Sequence, residues 1–148
     1  MSRVEDAVEI FRGGCACSQA VFATYAEDAG LDRLMAMKVS AGFAGGMRMA
    51  ETCGAVTGAI MALGLKTCAE DCAEAAGRKP TFALVQELTK RFAQKNGSTL
   101  CKGLLGCDIS TEAGSAEARE KELFATLCPR FVRDASVILE ELTATPQS

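Results

Sequence analysis

Nowhere in this 148-residue chain do apolar and polar residues alternate for long enough to make a strand, while apolar residues recur at helical spacing almost from end to end. The pattern predicts an all-α fold, a single compact helical bundle in which residues 1–148 form one domain. A chain of this length buries roughly two thirds of its unfolded surface and needs no disulfide to hold a core.

Glycine divides the pattern into helices. Val4, Ala7, Val8 and Phe11 form an amphipathic turn series that Gly13-Gly14 ends, and a second series runs from about Cys17 to Ala29, with Gly30 suited to the C′ position. Leu31 to Phe43 reads as a third helix, broken by Gly42, Gly45 and Gly46. Thr52 is placed to cap a helix from Cys53 to Leu65 that is apolar or small on every side, as a central core helix is. Gly54 and Gly58 share one face of it, a spacing that lets another backbone come close. A polar connection, Thr67 to Lys79, ends at Pro80, and Thr81 to Asn96 follows as a helix with Phe82, Val85, Leu88 and Phe92 inward. A short turn from Cys101 to Leu105 closes at Gly106. Asp108 to Ser115 reads as loop, Ala116 to Leu127 as helix, and a last helix starts at Cys128-Pro129.

Bulk properties exclude several functions. A net charge of −3, a pI near 5.1, no Trp and a single Tyr25 supply neither the basic surface nor the stacking rings that nucleic acid requires. The most apolar stretch, Cys53 to Leu65, is shorter than the ~20 residues of a membrane span, and Arg48 and Glu51 prevent its extension. The opening Met1-Ser2-Arg3-Val4-Glu5-Asp6 lacks a basic segment followed by an apolar one, so a cytoplasmic location is expected. In that reducing compartment, cysteines are more often metal-binding or catalytic than disulfide-bonded.

The chain holds eight cysteines and no histidine. That removes imidazole zinc sites, Rieske centres, Ser-His and Cys-His catalysis and c-type haem attachment, and leaves sulfur chemistry. The cysteines sort by position. Cys17, Cys53, Cys101 and Cys128 fall at predicted helix N-termini, where free backbone N–H groups and the helix dipole favour thiolate, the nucleophilic and metal-binding form. Cys68 and Cys72 lie in the polar connection, Cys107 follows a short turn, and Cys15 stands two residues before Cys17. Any one of them could equally be a small buried hydrophobe. No C-x-x-C occurs, which argues against a zinc ribbon and a thioredoxin-like motif; a site made from four separated helix starts would be assembled only by the tertiary fold.

At Cys17-Ser18-Gln19-Ala20-Val21, Gly42-Phe43-Ala44-Gly45-Gly46-Met47, Cys53-Gly54-Ala55-Val56-Thr57-Gly58, Cys101-Lys102-Gly103-Leu104-Leu105-Gly106 and Cys128-Pro129-Arg130-Phe131-Val132 the chain resembles the redox-active protein family named for its C-GCAxxG-C-C cysteine pattern. The family cysteines fall on Cys17, Cys53, Cys101 and Cys128. The family's likeness to split-Soret cytochromes implies that these four hold an iron–sulfur cluster; without histidine or C-x-x-C-H, haem is not carried over.

Three functions are compatible with these residues. An electron carrier or redox sensor would use the four thiolates as cluster ligands, with the glycine loop bringing backbone N–H groups of Gly45 and Gly46 toward the cluster sulfurs; the same glycines also suit a plain interhelical turn. A thiol-disulfide oxidoreductase would cycle two of the four cysteines. A structural zinc protein would use the same four thiolates without redox activity. Met35, Met37, Met47, Met49 and Met61 read as adaptable core filler, with Met47 and Met49 marking an interaction surface should they be exposed. A redox partner and a two-fold homodimer are the expected associations.

Overall fold

The predicted helix stops at Gly14, Gly30, Gly97 and Gly106 are places where the backbone turns left-handed, a conformation that glycine permits. The computed structural model describes residues 2–71 and 73–144. Its helices are α1 (Arg3–Arg12), α2 (Cys17–Asp28), α3 (Arg33–Ser40), α4 (Gly54–Thr67), α5 (Ala75–Asn96), α6 (Cys101–Leu105), α7 (Glu112–Glu120), α8 (Leu123–Thr126) and α9 (Cys128–Thr143). Between α3 and α4 lie a 3-10 turn, Ala41–Phe43, and a tightly coiled segment, Gly46–Ala50. Among the described residues there is no strand, only an isolated antiparallel bridge between Thr52 and Leu100. The fold is all-α and compact, and among the described residues no helix is long and apolar enough to cross a membrane.

α4 is the axis of the core. It is apolar or small on every side, packs most extensively on α2, and also contacts α5 and α9. Its closeness to α2 depends on Gly58, where a Cβ would sit 2.9 Å from the Ser18 carbonyl oxygen and 3.2 Å from the Phe22 nitrogen. Ala55, Val56, Ala59, Ala62 and Leu63 are fully buried around it, together with Val8, Val21, Leu88, Phe92, Val132 and Leu139 from the neighbouring helices. Phe92 of α5 meets Phe131 of α9 edge to face, with ring centroids 6.2 Å apart.

Four expectations need correction. Cys53, not Thr52, is the N-cap of α4; Thr52 is drawn into the bridge with Leu100. α5 begins at Ala75, so Pro80 lies inside it rather than before it. Tertiary contacts hold that extra turn: the Ala69 N–H donates to the Gly77 carbonyl at 3.1 Å, and the Thr67 and Thr81 hydroxyls meet at 2.8 Å. They offset the helix bond that Pro80 cannot donate to Ala76. The same frame turns Thr81, Leu88 and Phe92 inward and leaves Phe82 exposed. Finally, α7 starts at Glu112, inside the loop expected to reach Ser115, and the helix expected to run from Ala116 to Leu127 breaks at Glu122, which adopts φ 56° before α8. Cys72 lies outside the described residues.

Candidate thiolate site

Two short backbone pairings bring distant cysteines side by side. The Cys53 N–H donates to the Thr99 carbonyl at 2.8 Å, and the Cys101 N–H donates to the Glu51 carbonyl at 2.6 Å. These reciprocal bonds flank the Thr52–Leu100 bridge and clip the start of α4 to the start of α6. Cys17 is the first residue of α2, whose entry is fixed by Gln19: its side-chain oxygen accepts from the Ala16 N–H at 3.0 Å and its amide donates to the Met37 carbonyl at 3.0 Å. Ser18 anchors the same turn to the end of α3 by donating to the Ser40 carbonyl at 2.8 Å. Cys128 is the first residue of α9, with Leu127 at the N-cap and Pro129 in the first turn.

Cys17, Cys53, Cys101 and Cys128 all line one cavity of about 180 Å³. The rest of its wall is mainly apolar, including Phe11, Leu105, Ile109, Phe124 and Phe131, and among the described residues Arg48 is the one charged member. Gly54 makes the room. A Cβ on Gly54 would lie 2.5 Å from the Cys17 sulfur and 3.2 Å from the Phe43 carbonyl, so the sulfur occupies the notch that a side chain there would fill. The N–H groups of Gly45, Ser18 and Gly54 face the Cys17 sulfur, and those of Ala55 and Val56 face the Cys53 sulfur.

These donors do not make the thiols acidic. Burial raises the Cys17 pKa, and it pushes Cys53 well above the ordinary thiol value, with a further upward push from Cys17. Burial and the neighbouring cysteines lift Cys101 to about 11 and Cys128 to about 12. The expectation that helix N-termini would favour thiolate is overturned here: removing four adjacent thiols from water outweighs the dipoles aimed at them. Negative charge on these sulfurs would need a positive partner.

The loop leading to Cys53 is the least regular backbone in the molecule. Gly45, Gly46, Met47 and Arg48 have φ of 64°, 65°, 60° and 60° in succession, and Ala50 has 56°. For Met47, Arg48 and Ala50 this left-handed geometry is strained, and such strain concentrates at functional sites. Gly45 lines the cavity, whereas Gly46 is buried beside it, where its carbonyl accepts from the Glu51 N–H at 3.1 Å and closes the loop. Arg48, Ile109, Phe124 and Phe131 are lining residues that the sequence did not single out. Gly42, Gly45 and Gly46 signalled an irregular loop near Arg48, and Phe131 stood in the block that begins at Cys128, but nothing local placed Ile109 or Phe124 at the cavity.

The other cysteines separate from this set. Cys15 faces a neighbouring open cleft with Arg12, Gly14 and Pro129; Cys68 is exposed at the C-terminal end of α4; Cys107 is half-buried outside the cavity wall. All the described cysteines are free thiols. Of the methionines read as core filler, Met35 and Met49 are exposed and Met37 and Met61 pack against the core from its edge.

By donor type the four cavity cysteines suit a soft metal centre; among the described residues the other polar side chains of the wall are those of Arg48 and Ser115. Among the described residues no group of three or more Cys, Asp or Glu side chains stands close enough to hold one metal ion.

No curated protein and no solved structure matches the chain. Residues 15–142 match the family described as "Putative redox-active protein (C_GCAxxG_C_C)". That span includes Cys17, the run Cys53-Gly54-Ala55-Val56-Thr57-Gly58, Cys101 and Cys128, and the chain belongs to this redox-active protein family.

Proposed function

We propose that this protein holds an iron–sulfur cluster on Cys17, Cys53, Cys101 and Cys128 and serves in electron transfer or redox sensing. The observation that carries the reading is the convergence of four dispersed cysteines on one mainly apolar cavity. A bound cluster supplies one-electron chemistry at a potential set by charge, hydrogen bonds to sulfur and exposure to water. Around it, the N–H groups of Gly45, Ser18 and Gly54 stabilise negative charge on the Cys17 sulfur, and those of Ala55 and Val56 do so on Cys53. Phe11, Phe124 and Phe131 restrict water in the cavity.

Thiol–disulfide cycling is less well supported, because it needs a thiol ionised near neutral pH and burial raises all four. A structural zinc ion would require the sulfurs to close in on one atom at about 2.3 Å each.

The test is anaerobic purification followed by iron, acid-labile sulfide and zinc analysis with a visible spectrum. A brown protein with matching iron and sulfide is expected. A colourless protein that stays iron-free after reconstitution with ferrous iron and sulfide would overturn the proposal.

A further inference from the structure

The cavity has one charged residue in its wall, and the structure goes to unusual lengths to place it. Arg48 is exposed, yet its guanidinium folds back over Gly45: a Cβ on Gly45 would lie 2.9 Å from the Arg48 Nη1 and 3.7 Å from its Cζ. Gly45 is the same residue whose N–H faces the Cys17 sulfur. The guanidinium thus lies directly over a peptide that addresses a proposed ligand. It is also close enough to Cys101 to oppose the upward push on that thiol.

Among the described residues nothing else uses this charge. Among the described residues no carboxylate forms a salt bridge with Arg48, whereas the other nearby cations are engaged. Lys102, next to Cys101, pairs with Glu51 at 3.4 Å; Lys121 pairs with Glu117 at 3.4 Å; Arg130 lies over the Phe131 ring at 5.4 Å. An unpaired guanidinium held on a strained backbone at φ 60° against a cavity of four sulfurs has the disposition of a counter-charge.

We infer that Arg48 is the charge-compensating residue of this cavity: its guanidinium offsets the negative charge of a cysteine-ligated cluster and raises the cluster's reduction potential. The inference rests on the cluster reading above. Four thiolates on a doubly positive iron–sulfur core give a net double negative charge, and the electron taken up on reduction makes it triple. A fixed positive charge stabilises the more negative state more strongly, so it favours reduction. Because Arg48 is exposed, the effect is partly screened by salt.

The full chain, reconstituted anaerobically with ferrous iron and sulfide, is titrated with dithionite at low and at high salt as wild type, Arg48→Gln, Arg48→Lys and Lys102→Gln. Arg48→Gln should load like wild type and lose about tenfold in the one-electron reduction equilibrium, a midpoint lower by about 59 mV. Arg48→Lys and Lys102→Gln should stay close to wild type, and the Arg48→Gln shift should shrink at high salt. If Arg48→Gln remains helical but loses iron while Arg48→Lys keeps it, the charge is needed to retain the cluster and the inference stands. An unshifted, fully loaded Arg48→Gln overturns it, as does an equal, salt-independent shift or equal iron loss in both Arg48 variants, which would assign the role to the loop backbone. Wild type that takes up no iron sinks the cluster reading itself.

Discussion

The two ends of α4 carry the same residue type in opposite circumstances. At its N-terminus Cys53 is 6% exposed, fastened through its N–H to Thr99, and set in the cavity wall with three other cysteines. At its C-terminus Cys68 is exposed, with its N–H returned to the Gly64 carbonyl at 3.1 Å and no cysteine of the cavity beside it. The two glycines one residue inside Cys53 and four residues before Cys68 differ in parallel. A methyl on Gly54 would strike the Cys17 sulfur, whereas one on Gly64 would meet nothing within 4 Å. Position in the tertiary structure, and not the amino acid, decides whether sulfur at a helix end becomes part of a site.

The strongest way to break this comparison is Cys53→Ser. Serine still caps a helix, so helical content by circular dichroism should be retained while iron uptake is abolished. Full iron in this variant would show that α4 does not feed the cavity.

Gly54→Ala should follow in size. Its methyl has to displace the Cys17 sulfur or the Ser18 and Phe43 backbone, at an expected destabilisation of about 1–3 kcal/mol by denaturant titration, with most of the iron lost. Unchanged stability would mean that α2 and α4 are not in the close contact described.

The raised thiols give a pH test on metal-free protein. Cys101 and Cys128 hold their protons to about 11 and 12 in the folded state, against an ordinary value of 9.0. Above pH 9 the unfolded chain loses these protons first, so the stability they contribute, complete below pH 9, is lost as pH rises toward 11–12. Urea titrations at pH 8 and pH 10 should show this decline, and Cys128→Ser should reduce its slope. A slope that does not change in that variant would place Cys128 in water.

At the other end of α4 the effects should be small. Gly64→Ala is expected to stabilise by about 0.4–1 kcal/mol through a less flexible unfolded chain and a better helix former, with iron content unaltered. Cys68→Ser should change neither stability beyond about 0.5 kcal/mol nor iron content. Iron loss in Cys68→Ser would show that the two ends of the helix are not as different as their surroundings.

Local signals account for much of what could be read in advance. The starts of α1, α2 and α9, the stops at Gly30, Gly97 and Gly106, and the central place of α4 all follow from periodicity and from residues whose effect reaches only a turn away. The Gly54–Gly58 face was legible for the same reason, since two missing side chains on one face of a helix invite a close neighbour. Pro80 misled because its local penalty is offset by Ala69, Gly77 and Thr67, contacts that sequence spacing does not encode.

The amino-acid order by itself determined an all-α chain whose four family cysteines begin or cap helices, because helix boundaries are written in neighbouring residues. Only the tertiary structure decided that Thr52 and Leu100 pair, that Cys53 and Cys101 thereby stand on one wall with Cys17 and Cys128, and that Arg48 folds over Gly45. It also decided the sign of the thiol chemistry. A helix dipole is a local property and was visible from sequence, but desolvation and repulsion depend on what arrives from elsewhere in the chain, and in this cavity they outweigh the dipole.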